Sequence, residues 1–231
     1  MDRIVVLLSG GLDSAVCLAH AVEEVGKENV TALNMFYGQR HEIELKCAEA
    51  IAKHYGVRFI RKDLTAAFEF SQSTMLAGTG ELPQGSYEDQ LKQTGTISTY
   101  VPFRNGLFLS FAAAIAYSLE ADTIILGAHA DDAAGNAYPD CSWDFTEAMG
   151  KAVHLGTGGA VRFWAPFVQK HKSDIVARGL ELGVPFELTR SCYSDSEEAC
   201  GSCGTCIDRM AAFAKNNAVD PITYSIRTNT K

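Results

Sequence analysis

The chain has 231 residues, 47% of them hydrophobic and 21% charged, and a formal net charge of −8. That length buries one substantial core with room for a small appendage, and the composition excludes a disordered or fibrous chain. The acidic balance speaks against tight binding to nucleic acid, tRNA included, because counterion release needs clustered Lys and Arg; no apolar run is long enough for a membrane span or a signal peptide, so a cytoplasmic protein is expected.

Residues 4–8 are β-branched and aliphatic, and Ala15, Leu18, Ala19 and Val22 recur at the spacing of one helix face. Ser9-Gly10-Gly11-Leu12-Asp13-Ser14 joins the two, which predicts a strand, a glycine turn and a helix. Gly10 and Gly11 lack a Cβ, so their amides can approach an anion closely, and the helix N-terminus adds unpaired N–H groups and a positive dipole end. Phosphate is the natural ligand. The loop has neither the lysine of a P-loop nor the G-x-G-x-x-G of a dinucleotide fold. It resembles instead the S-G-G-x-D-S PP-loop of ATP pyrophosphatases. That resemblance implies an ATP-binding segment of Leu8, Ser9, Gly10, Gly11, Leu12, Asp13, Ser14, Ala15, Val16, Cys17 and Leu18, and transfer of AMP to an acceptor oxygen.

A second strand over 30–37, a helix over 42–55 ended by Gly56 and a third strand over 57–62 predict a parallel sheet covered on both faces. Tyr37-Gly38-Gln39-Arg40-His41 falls at the carboxyl end of the second strand, where open α/β sheets place ligands, so Arg40 and His41 are substrate candidates; a solvated turn is the plainer alternative. Residues 65–99 lose all periodicity, as a lid or a disordered excursion would. After Arg104-Asn105, residues 106–119 form an Ala-rich, buried helix, and 123–126 a fourth strand. Asp131 and Asp132, just beyond that strand, suit Mg²⁺ with its preference for oxygen ligands, a helix cap being the other reading. Tyr138-Pro139-Asp140-Cys141-Ser142-Trp143-Asp144-Phe145 mixes rings with carboxylates. A purine-like base needs that combination: Trp143 to stack on its face and Asp140 to accept paired N–H donors, unless the rings are ordinary loop packing. A fifth strand over 161–165 precedes a helix over 173–182 ended by Gly183. Lys172 lies at that helix's N-terminus, where the dipole disfavours a cation and a phosphate partner would rationalise one, simple solvent exposure being the other reading.

Of the seven cysteines, Cys192, Cys200, Cys203 and Cys206 are spaced C-x7-C-x2-C-x2-C. Four thiolates can enclose a tetrahedral Zn²⁺, structural because no coordination position stays open; an iron–sulfur cluster takes the same donors. Residues 207–214 supply a helix to pack this segment on the core. Cys17 and Cys47 lie on apolar helix faces and read as core residues. Cys141 is a candidate reactive thiol, with His129 as the possible base.

The PP-loop, Tyr37-Gly38-Gln39-Arg40-His41, Arg104-Asn105, Tyr138-Pro139-Asp140-Cys141 and the four cysteines, in this order, resemble the 7-cyano-7-deazaguanine synthases of queuosine biosynthesis nearly end to end. The segment 127–138 is more Ala-rich and slightly longer than that pattern. The resemblance implies a parallel-sheet α/β fold of the adenine-nucleotide-hydrolase-like (PP-loop) kind, with a nucleotide-binding domain over 1–190 and a small zinc knuckle with its C-terminal helix over 191–231. It further implies ATP-dependent conversion of 7-carboxy-7-deazaguanine and free ammonia into the nitrile, with Mg²⁺ and structural Zn²⁺, in a homodimer without nucleic-acid or membrane partners. Asp13, Asp132 and Lys172 are then the charged catalytic groups. Two alternatives remain: another PP-loop enzyme, such as a tRNA thiolase or nucleotide amidase, and a non-catalytic regulator that binds zinc and nucleotide.

Overall fold

The computed structural model describes residues 2–40, 42–83, 87–94 and 97–225. Five strands, β1 (Ile4–Leu7), β2 (Val30–Phe36), β3 (Arg58–Asp63), β4 (Thr123–Ile125) and β5 (Arg162–Trp164), pair in parallel in the order β3-β2-β1-β4-β5. The chain leaves β1 toward one edge and returns to β4 on its other side. This reversal opens a crevice at the carboxyl ends of β1 and β4, the position at which open α/β sheets take ligands.

Helices α1 (Leu12–Val25), α2 (Glu42–Tyr55), α3 (Tyr87–Thr94), α4 (Arg104–Ser118), α5 (Ala130–Ala133), α6 (Trp143–Gly156), α7 (Lys172–Glu181) and α8 (Gly204–Lys215) follow in chain order. Strand alternation sorts β1 between two apolar layers. Ile4 and Val6 join the layer built with Leu18, Ile51 and Ile175, whereas Val5 and Leu7 join Leu109, Ala112 and Ala116 on the other face. The sequence-predicted helix after residue 105 is present but starts two residues earlier, at Arg104.

Besides the single turn α5, two helices were not anticipated. In α6, Ser142 accepts a cap bond from Phe145 N (3.2 Å), and Phe145, Met149 and Val153 recur every fourth residue against the second layer. The other, α3, lies within the stretch read as lid or excursion. Much of that stretch is packed: Phe68, Met75 and Leu76 share an apolar cluster with Tyr37, Val101 and the cysteine region, and Arg40 N donates to Met75 O (3.1 Å).

At the C-terminal end, Ala212 and Phe213 of α8 enter the same layer as α1. Arg209, fully buried, is held by both oxygens of Asp220 (2.7 and 2.9 Å), by Thr189 Oγ1 (2.7 Å) and by the carbonyl of Phe186 (3.1 Å). Removing one member of such a pair leaves an uncompensated buried charge. Arg209→Leu is therefore expected to cost about 3–5 kcal/mol in urea unfolding; a loss below about 1 kcal/mol, the worth of a surface pair, would contradict the assignment.

Candidate functional site

The crevice at the β1/β4 reversal deepens into a cavity of about 220 Å³. Its floor is the glycine turn after β1, and the fit of that turn depends on Gly10. At φ +104°, Gly10 presses onto α2 so closely that a Cβ there would lie 2.1 Å from the Glu44 carbonyl oxygen. Ser14 ties the turn together: its Oγ accepts from Ser9 N (3.2 Å) and donates to Gly11 O (3.0 Å), while Ser9 Oγ accepts from Gly11 N (3.1 Å). Leu8, Ser9, Gly11, Asp13 and Ser14 face the cavity. Leu12, Ala15, Val16, Cys17 and Leu18, expected in the ATP-binding segment, send their side chains into the core instead, because the helix turns that face inward.

Asp13, Asp132 and Lys172 converge from α1, α5 and α7. Lys172 Nζ is buried, 3.2 Å from Asp13 Oδ2 and 3.2 Å from His129 Nε2, which in turn is 3.3 Å from Asp132 Oδ2. Burial disfavours the charged forms of both Asp13 and Lys172, but their mutual attraction, with His129 acting on Asp13 and Asp132 on Lys172, prevails. The Asp13 carboxyl is held below its ordinary range and the Lys172 amine above its own. Asp131 takes no place in the cavity. It caps α7, its oxygens meeting Lys172 N (2.8 Å) and His171 Nδ1 (2.7 Å), and so fixes the lysine's approach. The helix-cap reading of this residue is correct, though the helix is α7.

A polyanionic ligand brought beside the Asp13 and Asp132 carboxylates needs a cation to offset their like charge. Asp13 Oδ1, buried with no protein partner, is the donor such a cation lacks elsewhere in the group. Asp13 and Asp132 are the carboxylates of this corner that could hold a hard divalent ion.

The opposite wall is aromatic and cationic. Arg104 at the start of α4 donates to Tyr37 Oη (3.2 Å) and lies 5.3 Å from the centre of that ring. Asn105, Tyr138, Tyr193 and Cys141 complete this side. Two sequence-predicted base contacts are corrected here. Asp140 is turned away from the cavity, because its Oδ2 accepts the free backbone N–H of Asn105 at the head of α4 (2.9 Å). Trp143 is 45% exposed as the first residue of α6, outside the cavity wall. Arg40 likewise points elsewhere, donating to the Gly80 carbonyl (2.9 Å), and His41 lies outside the described residues. The Cys141 thiol meets Asn105 Nδ2 (3.2 Å), and burial beside Asp132 and Asp140 pushes it well above the usual thiol range. It is not a reactive thiolate. Glu44 and Arg190 are polar groups of the site that the sequence did not single out, whereas Arg104 entered only through the Arg104-Asn105 motif and His129 only as a possible base for Cys141.

Cys192, Cys200, Cys203 and Cys206 place their sulfurs within 4.8 Å of one another. Backbone N–H groups of Ser194 (3.3 Å) and Cys200 (3.2 Å) point at Cys192 Sγ, and that of Cys203 (3.3 Å) at Cys200 Sγ. Such donors stabilise thiolates, so the set fits a thiophilic metal. The cluster is joined to the cavity by Arg190. Its N–H donates to Gly10 O (2.9 Å), while its guanidinium collects the carbonyls of Ser194, Ser196, Glu197 and Glu198.

With this geometry in place, comparison with known proteins gives a consistent result. The family described as queuosine biosynthesis protein QueC matches residues 3–217. The 7-cyano-7-deazaguanine synthase of Hahella chejuensis is 40% identical over 223 residues, 96% of this chain and 93% of that relative. Its namesake from Caldicellulosiruptor bescii is 41% identical over 225 residues, 97% of this chain and 98% of the relative. Among solved structures, the U34-tRNA thiolase NcsA from Methanococcus maripaludis, with its [4Fe-4S] cluster, aligns at a TM-score of 0.52 and 14% identity, over 84% of this chain and 60% of that one. That likeness shows a shared PP-loop fold.

The Gly10 contact can be tested directly. Gly10→Ala combines a left-handed backbone with a collision against α2 backbone and is expected to cost roughly 2–3 kcal/mol in chemical denaturation. Unchanged stability would mean that the turn does not rest on α2.

Proposed function

The chain belongs to the QueC family of queuosine biosynthesis, the 7-cyano-7-deazaguanine synthases, and on that premise we propose that it builds the nitrile from 7-carboxy-7-deazaguanine, free ammonia and ATP. The observation that carries the ATP requirement is the buried Lys172 ammonium, paired with Asp13 at 3.2 Å beside the glycine turn. A permanently charged amine at a ring of amides is built for a diphosphate.

A carboxylate is a poor electrophile. Transfer of AMP to one of its oxygens supplies a leaving group that ammonia displaces to give the amide, and a second transfer to the amide oxygen permits elimination to the nitrile. The turn from Ser9 to Ser14, at the N-terminus of α1, orients the β,γ-diphosphate so that the α-phosphorus faces the acceptor. Lys172 stabilises the negative charge that gathers on the departing diphosphate, and Asp131 keeps that ammonium in place by capping its helix. Asp13 and Asp132 would hold Mg²⁺, which supplies positive charge to the phosphate oxygens when bound. The deazapurine fits the side formed by Tyr37, Arg104, Asn105 and Tyr138, where ring faces and polar groups meet. The four cysteines would hold Zn²⁺, whose part is to cross-link the segment that carries Arg190.

Incubation of the purified protein with ATP, ammonium and 7-carboxy-7-deazaguanine is expected to yield the nitrile by mass spectrometry, with AMP and diphosphate as co-products. Asp13→Asn lowers kcat on the order of 10²-fold with little change in binding of the deazapurine by calorimetry. Full activity of that variant, or a nitrile formed without ATP, would overturn the reading.

A further inference from the structure

Glu44 stands in the first turn of α2 and lines the cavity directly above the glycine turn. Its position is imposed by packing, since the Gly10 contact that seats the turn is made with the backbone of Glu44 itself. The carboxylate accepts a hydrogen bond from the Ser9 hydroxyl, and its Oε1 would be 3.7 Å from a Cβ on Gly11. It therefore sits at the edge of the surface proposed above for the diphosphate, facing the same space as Arg104 and Tyr37.

The other acids of the site are committed elsewhere. Asp13 is paired with Lys172, Asp132 lies beside His129, and Asp140 is spent on the head of α4. Burial pushes the Glu44 carboxyl up to about 7, with Arg104 and the Ser9 bond opposing the rise. Around it stand Tyr37 at the end of β2, Arg104 on α4, Cys47 on its own helix and Arg190 on the segment after α7. Burial works against the Arg104 guanidinium, but Tyr37, Cys141 and Asp140 beside it hold it charged above its ordinary range, and burial holds both Tyr37 and Cys47 protonated beyond theirs. The group that exchanges a proton near neutrality in this neighbourhood is thus a carboxylate with access to the cavity, the requirement for a base that must reset each turnover.

Amide formation needs such a base. We propose that Glu44 is the catalytic proton acceptor of the amidation step: the nitrogen of ammonia bonds to the activated acyl carbon, the carbon–oxygen bond to AMP breaks with AMP keeping the electron pair, and the surplus proton on nitrogen passes to the Glu44 carboxylate. This inference rests on the adenylation reading given above.

Hydroxylamine separates the two. It captures an acyl adenylate as the hydroxamate, and its nitrogen, far more acidic once attached, sheds its proton to water without help. In Glu44→Gln, hydroxamate formation is expected to stay within a few-fold of the wild type, while amide formation from ammonium falls roughly 10²-fold. Compared at a constant concentration of free NH3, the wild-type amide rate is expected to rise through pH about 7 and that of the variant to lose this rise, with Glu44→Asp, which keeps a carboxylate, recovering part of it. An amide rate in Glu44→Gln equal to wild type overturns the proposal. Equal losses of hydroxamate and amide also overturn it, since Glu44 then only supports the turn. A wild-type protein that forms no hydroxamate refutes the adenylation reading itself and this inference with it.

Discussion

Lys172 keeps only 6% of its surface exposed, and its ammonium lies 3.2 Å from the carboxylate of Asp13. Neither charge can be buried without the other, because an unpaired ammonium in such a place costs several kcal/mol. The pair therefore dictates that the N-termini of α1 and α7 meet at the carboxyl edge of the sheet. The helices are shaped for it: at Gly179 of α7 a Cβ would lie 2.8 Å from Val16 Cγ2 and 2.4 Å from Phe186 Cζ. His129 and Asp132, delivered by the end of β4, close the group from the other side of the reversal. What results is a charged corner that, on the reading proposed above, receives a phosphate-bearing ligand and its cation.

The cysteine end and the glycine turn are one mechanical unit. Arg190 binds the turn through its backbone and the 194–198 carbonyls through its side chain, so order in the cysteine segment is transmitted to the floor of the cavity. Arg209 performs the equivalent service beneath, tying α8 to Thr189, one residue before Arg190. A metal on the four sulfurs would act through these contacts, consistent with a closed, structural site.

The parts of this arrangement that repeat along the chain could be read in advance. The apolar run of β1, the helix period of Ala15 to Val22, the glycine pair and the cysteine spacing each carry their geometry locally. The four cysteines did assemble, and Asp13, Asp132 and Lys172 did converge. α6 was equally legible, with Ser142 as cap and Phe145, Met149 and Val153 at helical spacing, but the rings of 138–145 suggest ligand stacking if read alone. Asp140 shows a deeper limit. Whether a carboxylate faces a ligand or caps a helix depends on which distant N–H it finds, here that of Asn105. Glu44 is a like case: an acidic residue in the first turn of a helix is ordinary, and its perturbed carboxyl follows from burial and from neighbours on other elements.

The account stands on attack at the α-phosphorus of ATP, directed by the turn from Ser9 to Ser14 and the Lys172 corner. The fate of oxygen tests that most directly. With both carboxylate oxygens of 7-carboxy-7-deazaguanine labelled as ¹⁸O, each of the two activations should deposit one label in AMP, and the amide should appear as a kinetically competent intermediate. Label recovered in inorganic phosphate, with ADP as the nucleotide product, would mean γ-phosphoryl transfer and would contradict the role given to this corner of the fold.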